Sequence, residues 1–186
     1  MGQPGRYQRS TSGMVGALLV TLLVILGFVA LRGFNRTTPD VKPEHVDYVA
    51  QVGYAQQAGA TDLVYPASLP AGWYATQLTV DAGPPSQLDL SLLTADGAYA
   101  GLVQSAESGP ALLARYVDAN ATGGQPVDVP GAVDGKVTSW DVWTDSGGDT
   151  ALVARHRGTT LMVFGSATQA QLEQLASTLT TGPASR

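Results

Sequence analysis

The chain contains no cysteine. This absence excludes disulfide bonds, thiol nucleophiles and metal sites built on thiolates. It does not identify the cellular compartment, because a cysteine-free chain folds in oxidising and reducing environments alike. From about Asp47 to Leu179 the sequence is long enough for one domain of ordinary size, so we expect a single hydrophobic core.

Basic residues are scarce in most of the chain. From Thr37 to the end there are six Lys or Arg against fifteen Asp or Glu, which gives this part a formal net charge of −9. An acidic surface repels phosphate groups. We therefore expect that this part binds neither nucleic acid nor an anionic lipid surface.

Histidine is also rare, and the residue pattern contains no catalytic constellation. His45 lies beside Glu44 and Asp47 without a second ligand at a metal spacing, so a solvated charged patch explains it better than a metal site. Ser166 in FGSAT lacks the G-x-S-x-G elbow of hydrolases and suits the start of a helix. We predict no catalytic residues, no metal ligands and no cofactor, and hence that the protein is not an enzyme.

Three aspartates lie four positions apart around a Ser-Gly-Gly sequence, at Asp141, Asp145 and Asp149. The alternating oxygen ligands and closing glutamate of a calcium-binding EF-hand are missing. Aspartate and glycine are also the residues that a hairpin loop requires. We therefore interpret these aspartates as turn residues.

One long apolar run is present near the start, GMVGALLVTLLVILGFVAL at residues 13–31. As a helix this uncharged run would be about 28 Å long, close to the hydrocarbon thickness of a bilayer. A cleaved signal peptide has a shorter apolar core followed by small residues, whereas this run leads directly into Arg32. We predict an uncleaved membrane anchor.

The orientation of this anchor does not follow from charge alone, because basic residues flank the run on both sides. The leading tail has no acidic group, and long domains cross membranes largely regardless of flanking charge, so we place the C-terminal domain outside the cytoplasm. The predicted organisation is a cytoplasmic tail at 1–12, a transmembrane helix at 13–31, a tether at 32–46, an extracytoplasmic domain at 47–182 and a tail at 183–186.

Helix signals occur at three places in the domain. Apolar spacing predicts a helix over about 46–58. Ser108, Gly109 and Pro110 predict a helix start. Thr168 and Gln171 fit a capping box before a helix over about 169–179. The second helix is expected to pack through Leu112, Leu113, Tyr116 and Val117.

Strand signals surround these helices, with one strand over about 73–80 and two β-hairpins. If Arg157-Gly158 is a two-residue turn, Val153 lies opposite Met162 and Leu152 opposite Val163. Both faces are then apolar, which predicts a hairpin in the middle of a sheet. For the other hairpin, a two-residue Asp96-Gly97 turn of type I′ predicts one face with Leu90, Leu92, Gly101 and Val103 and another with Leu93, Ala100 and Leu102.

These elements predict an α+β fold, in which packing helices cover an antiparallel sheet built from β-hairpins, after one N-terminal transmembrane helix. Each hairpin ends in Ser-Ala and is followed by a helix. Aligned on the turn glycines, however, the leucines of the two helices are out of phase by one. Duplication of a hairpin-helix unit and a mere likeness of secondary structure both stay open.

The order of features resembles an actinobacterial family of single-span membrane proteins, the domain of unknown function 4245. The resemblance covers nearly the whole chain. It is carried by the N-terminal span, Leu69-Pro70-x-Gly72-Trp73, Leu93-Thr94-x-Asp96-Gly97-x-Tyr99, Gln104-Ser105 and the closing hairpin and helix. The family has no assigned activity, so the resemblance implies no functional residues.

A candidate partner surface comprises Trp143, Arg155 and Arg157. Alternation along its strand places Trp143 on the other face of the sheet from Trp140 and Val142, near the end of the sheet. There it is either capped by the helix at 46–58 or offered to a partner. The two arginines either bind an anion or keep the surface soluble.

The sequence therefore favours a membrane-anchored binding or adaptor module of the bacterial cell envelope, with an envelope protein as its partner. A carrier or sensor of an apolar ligand is the alternative, in which a curved sheet and a helix enclose a cavity. An enzyme is the third interpretation, and it has the least support in the residues.

Overall fold

The computed structural model describes residues 44–184 and five isolated helical positions near the N-terminus, which are Val15, Leu18, Thr21, Leu22 and Ile25. Among these described residues, no helix is long and apolar enough to cross a membrane. Apart from those five positions, the predicted transmembrane helix at 13–31 lies outside the described residues, as do the tail at 1–12 and most of the tether. The chain divides between residues 42 and 43, and the second unit, Pro43–Arg186, is described below.

Residues 44–184 form three helices and ten strands. The helices are α1 (Tyr48–Gln57), α2 (Gly109–Tyr116) and α3 (Gln169–Ser177). The strands are β1 (Tyr65–Pro66), β2 (Tyr74–Asp81), β3 (Gln87–Leu93), β4 (Tyr99–Ser105), β5 (Thr122–Gly123), β6 (Val127–Asp128), β7 (Ser139–Thr144), β8 (Thr150–His156), β9 (Thr159–Gly165) and β10 (Leu179–Thr180).

Eight of these strands form one sheet in the order β2-β3-β4-β9-β8-β7-β5, with β6 also paired to β7. All of its pairs are antiparallel, and β1 pairs separately with β10. The sheet thus joins two three-stranded meanders, β2-β3-β4 and β7-β8-β9, through the central pair β4–β9. The predicted α+β class and hairpin-built antiparallel sheet are confirmed.

The sheet is covered on both sides. Face A, which carries Leu102, Leu152 and Val163, packs against α1 and α3. Face B, which carries Val103, Val153 and Met162, packs against α2 through Leu112 and Leu113. Because apolar side chains alternate to both faces of the central strands, the domain has a layer of core on each side of the sheet.

The β8–β9 hairpin has the predicted register, with Val153 opposite Met162 and Leu152 opposite Val163. Arg157 and Gly158 have positive φ angles of 44° and 84°. A type I′ turn requires left-handed backbone at both central residues, which explains the two-residue loop. The prediction of a mid-sheet hairpin covered on both faces is confirmed.

The β3–β4 hairpin differs from its prediction. Leu93 pairs with Tyr99, so the loop spans five residues instead of two. Thr94 closes it, since its carbonyl oxygen accepts a hydrogen bond from the Gly97 N–H (3.0 Å) and its Oγ1 accepts one from the Ala98 N–H (2.8 Å). The register shifts by one residue, which reverses the face of every β4 side chain relative to β3. The predicted faces are therefore wrong, and the residues that share face A are Leu90, Leu92, Ala100 and Leu102.

The two hairpin-helix units are not equivalent. Their helices pack on opposite faces of the sheet, α2 on face B and α3 on face A. The one-residue difference in their leucine phase accompanies this switch of face.

Local signals set the starts of α2 and α3 as predicted, whereas α3 ends at Ser177 instead of about 179, because Leu179 and Thr180 pair with β1. Thr168 and Gln171 form a capping box at α3, with Oγ1 of Thr168 accepting from the Gln171 N–H (3.3 Å) and Oε1 of Gln171 accepting from the Thr168 N–H (2.9 Å). Ser108 is the N-cap of α2, which has proline in its first turn. The capping box satisfies N–H groups that a helix start leaves free, whereas the Ser108 side chain makes no capping hydrogen bond.

The C-terminal segment returns to the start of the domain. Gln56 in α1 donates from Nε2 to the Gly182 carbonyl (3.0 Å) and accepts at Oε1 from the Ala184 N–H (2.9 Å). Asp134 accepts hydrogen bonds from the Thr180 hydroxyl (2.6 Å) and from the Thr181 N–H (3.0 Å). The C-terminal segment is therefore fixed to α1 and to the loop between β6 and β7.

Candidate functional site

A cavity of about 290 Å³ opens on face B beside α2. It exists because α2, with only eight residues, contacts β8 and β9 and leaves part of the β7 side of this face open. The volume lies near the lower end of the range of small-molecule pockets. The cavity is lined by Gly109, Pro110, Leu113, Ser139, Asp141, Trp143, Val153, Ala154, Arg155 and Thr160.

Trp143 forms the aromatic wall of this cavity. It lies on face B, while its neighbours Trp140 and Val142 are buried on face A, so the predicted alternation is confirmed. The indole lies over Gly123 of β5, because a Cβ atom added at Gly123 would meet ring carbons of Trp143 at 3.6 Å. The indole is half-buried and keeps a surface towards the cavity.

The predicted alternative that the helix at 46–58 caps Trp143 is wrong. Helix α1 packs against β2 and the core of face A, so it lies on the other side of the sheet. The covering element on face B is α2, whose Leu113 lines the cavity together with Trp143.

Arg155 is held in place on the β9 side of the cavity. Its Nη1 donates to Oγ1 of Thr160 (2.8 Å) and its Nη2 to the Gly158 carbonyl (3.2 Å). Thr160 is fully buried, and its hydroxyl donates in turn to the Glu107 carbonyl (2.6 Å). These hydrogen bonds fix the plane of the guanidinium group and leave further N–H donors of Arg155 unused within residues 44–184.

Arg155 differs from the other arginines of the described domain in its electrostatics. Arg115 pairs with Glu107 at 2.7 Å, and Arg157 pairs with Asp62 at 2.8 Å. Across residues 44–184, Arg155 has no such carboxylate partner. Its positive charge is therefore available to a ligand in the cavity.

Asp141 supplies the opposite charge. It lies opposite Val153 on β8 and shares face B with Trp143, two residues further along β7. Within the described part of the chain its carboxylate makes no hydrogen bond or salt bridge. The cavity thus has a carboxylate on the β7 side, a guanidinium on the β9 side and Val153 as an apolar floor between them.

The structure brings together two of the three predicted surface residues, Trp143 and Arg155. Arg157 lies in the β8–β9 turn outside the cavity lining and is ion-paired with Asp62. Asp141 was missed as a site residue because it was grouped with the two turn aspartates. The turn interpretation does describe Asp145, whose Oδ1 accepts from the Asp149 N–H (2.8 Å). The i, i+2 spacing of Asp141 and Trp143 was the signal that placed both on one face.

Elsewhere in residues 44–184, the polar groups give no second candidate centre. No group of three or more His, Asp or Glu among the described residues could hold a metal ion. His156 is buried, and Nε2 has no hydrogen-bond partner in residues 44–184. Burial, with the nearby charges of Arg157 and Lys136, lowers the pKa of His156 below its usual value. The ring is therefore neutral near pH 7, and it belongs to the packing of the hairpin end.

The family model described as a protein of unknown function, DUF4245, matches residues 6–179. The chain belongs to this family. The resemblance to the domain of unknown function 4245 is thereby confirmed. Neither the curated proteins nor the solved structures contain a match. The family description assigns no activity, so the interpretation of the cavity depends on its own chemistry.

Proposed function

We propose that the chain is a membrane-anchored binding module of the bacterial cell envelope, with its domain outside the cytoplasm. The apolar run at residues 13–31 supports the anchor, because its length and lack of charge suit a bilayer span. The binding role is carried by one observation, the face B cavity, in which an aromatic wall and two opposite charges without partners in residues 44–184 converge.

Binding explains this cavity better than catalysis. Its hydroxyl groups belong to Ser139 and Thr160, and that of Thr160 already donates to the Glu107 carbonyl. A nucleophile needs an adjacent base that accepts its proton. Arg155 cannot act as that base, because its guanidinium stays protonated. Asp141 is the carboxylate of the lining, but within residues 44–184 no hydrogen bond joins it to the Ser139 hydroxyl, and Thr160 donates away from the cavity.

A ligand that is apolar throughout fits the cavity less well. Leu113, Val153 and Trp143 would accept such a ligand, but it would cover Asp141 and Arg155 without giving either charge a partner. Desolvating an unpaired charge costs free energy that apolar contact of this small area does not offset. The lining favours an amphipathic partner with polar groups at defined positions.

Site-directed photocrosslinking tests the proposal in intact cells that carry the full-length protein. A photoreactive amino acid at position 139, on the cavity rim, should give a discrete adduct. The matched control is position 170, where Ala170 on α3 is exposed on the other side of the sheet. Equal labelling at both positions, or none at position 139, would contradict a binding role for the cavity.

The location is tested separately. After extraction at alkaline pH the full-length protein should stay in the membrane fraction, because an apolar run of this length anchors by insertion. Protease added to intact spheroplasts should degrade residues 44–184. Release at alkaline pH would contradict the anchor, and protection from protease would contradict the orientation.

A further inference from the structure

The positions of the two unpaired charges restrict which ligand the face B cavity can hold. Arg155 presents N–H donors that suit a carboxylate, and its guanidinium is already oriented by Thr160 and Gly158. A pre-oriented guanidinium loses less conformational entropy on binding than a free one. The cation side of the cavity is therefore built for an anionic group.

The other side of the cavity excludes a simple anion. Asp141 is a carboxylate without a partner in residues 44–184, and it repels a second negative group placed beside it. It accepts hydrogen bonds and pairs with an N–H or ammonium group. A fatty acid has no such donor, and a phosphate group would place more negative charge near Asp141.

Asp141 and the guanidinium of Arg155 lie on opposite sides of β8. Asp141 is on β7, while Thr160, which accepts a hydrogen bond from Nη1 of Arg155, is on β9. Asp141 lies opposite Val153 and Thr160 opposite Arg155, so the two backbone positions are about 10 Å apart across the sheet and about 7 Å apart along the strands. A ligand therefore has to cross Val153 with an N–H donor at one end and an anionic group at the other, and an amino-acid residue is the smallest peptide unit with both groups.

We propose that the cavity binds a carboxyl-terminal amino-acid residue with an apolar side chain. The ligand carboxylate contacts Arg155, its α-nitrogen donates to Asp141, and its side chain lies on Val153 against Leu113 and the Trp143 indole. Both the last residue of a peptide and a free amino acid have this chemistry. The inference rests on the proposed binding role of the cavity and specifies its ligand.

Isothermal titration of the full-length protein in lipid nanodiscs, against empty nanodiscs as a blank, tests this ligand class without any mutation. The probes are leucine, N-acetyl-leucine, leucinamide and decanoate. We expect leucine or N-acetyl-leucine to bind at least tenfold more tightly than leucinamide, which lacks the carboxylate, and than decanoate, which lacks the α-nitrogen. Tighter binding of N-acetyl-leucine identifies a peptide terminus, and tighter binding of leucine identifies a free amino acid.

Two matched substitutions assign the contacts. Arg155→Gln should weaken binding about tenfold or more, whereas Arg157→Gln, which removes an arginine two residues away that pairs with Asp62, should change it less than about twofold. Asp141→Asn should weaken leucine more than N-acetyl-leucine, because only leucine carries an ammonium charge. Equal effects of the two arginine substitutions would overturn the assignment.

The outcomes also separate this inference from the proposed function. Binding of leucinamide as tight as that of both leucine and N-acetyl-leucine, tight binding of decanoate, or no binding of any probe would overturn the ligand class. If an adduct still forms from position 139 in that case, the cavity binds a partner of different chemistry and the binding role survives.

Discussion

Replacing Gly101 with alanine should destabilise the domain through a steric clash in the middle of the sheet. Gly101 on β4 lies opposite Phe164 on β9, and the aromatic ring covers the glycine. A Cβ atom at this position would lie 2.6 Å from both Cε1 and Cζ of Phe164. Carbon atoms in contact prefer about 3.5–4.0 Å, so the ring or the strand has to move by about 1 Å.

The surroundings of the ring set the magnitude. Phe164 is 3% exposed, and its ring centroid lies 5.9 Å from that of Tyr99 and 5.0 Å from that of Tyr116. Overpacking of such a site typically costs about 1–3 kcal/mol. Alanine regains about 0.4–1 kcal/mol because it restricts the unfolded chain. We therefore expect a net loss of about 1–2 kcal/mol in the free energy of unfolding, or a Tm lower by roughly 3–8 °C.

The assay is urea unfolding of a fragment comprising residues 44–186, followed by circular dichroism, with the thermal transition recorded in parallel. Gly53→Ala is the matched control. Gly53 lies within helix α1, and a Cβ atom added there would meet Ala184 at 3.7 Å, an ordinary van der Waals distance. That change should stabilise by up to about 1 kcal/mol. The second variant, Gly101→Ala with Phe164→Leu, should lose less stability than the sum of the single changes. Simple additivity, or an unchanged Gly101→Ala variant, would refute the steric argument.

Three further outcomes are expected. Val163→Asp should prevent folding, as judged by circular dichroism, because Val163 is fully buried and an unpaired buried charge costs several kcal/mol of a total near 5–15 kcal/mol; native-like melting would contradict the assignment to face A. Thr168→Ala should lower stability by about 1 kcal/mol through loss of the capping box, and Thr168→Ser should restore most of it. The pKa of His156 is lowered by burial, so the unfolded chain binds the proton first, and stability should fall as the pH drops below the unfolded value of 6.5. His156→Gln should remove that dependence, and the same slope in both proteins between pH 7 and pH 5 would show that another group titrates.

The two hairpins show where the sequence was sufficient and where it was not. Arg157-Gly158 supplies two consecutive left-handed residues, and the apolar pattern on both strands fits only one register. Asp96-Gly97 supports more than one loop length. In the structure Thr94 decides between them, since its hydroxyl both accepts from the Ala98 N–H and donates to the Asp96 carboxylate. That choice depends on a side-chain network, which the Asp-Gly pair alone does not specify.

The candidate site was predictable only in part. Alternation along β7 gave the face of Trp143, and Arg155 was included as one of two arginines that could bind an anion. The cavity itself depends on which face of the sheet α2 covers, and the amphipathicity of a short helix does not determine that. Arg157 was included in the predicted surface because its partner, Asp62, lies 95 residues away in the sequence. Such a non-local ion pair is visible only once the chain is folded.

The order of strands has a consequence for how the chain can be made. The middle strand of the sheet, β9, is the last long strand to be synthesised, so the first meander keeps an unpaired, apolar edge at β4 until residues 159–165 are available. An open edge of this kind pairs readily with other chains. A nascent chain therefore stays vulnerable to aggregation until nearly its whole length has emerged. A premature stop before Thr159 removes β9 and with it the centre of the sheet.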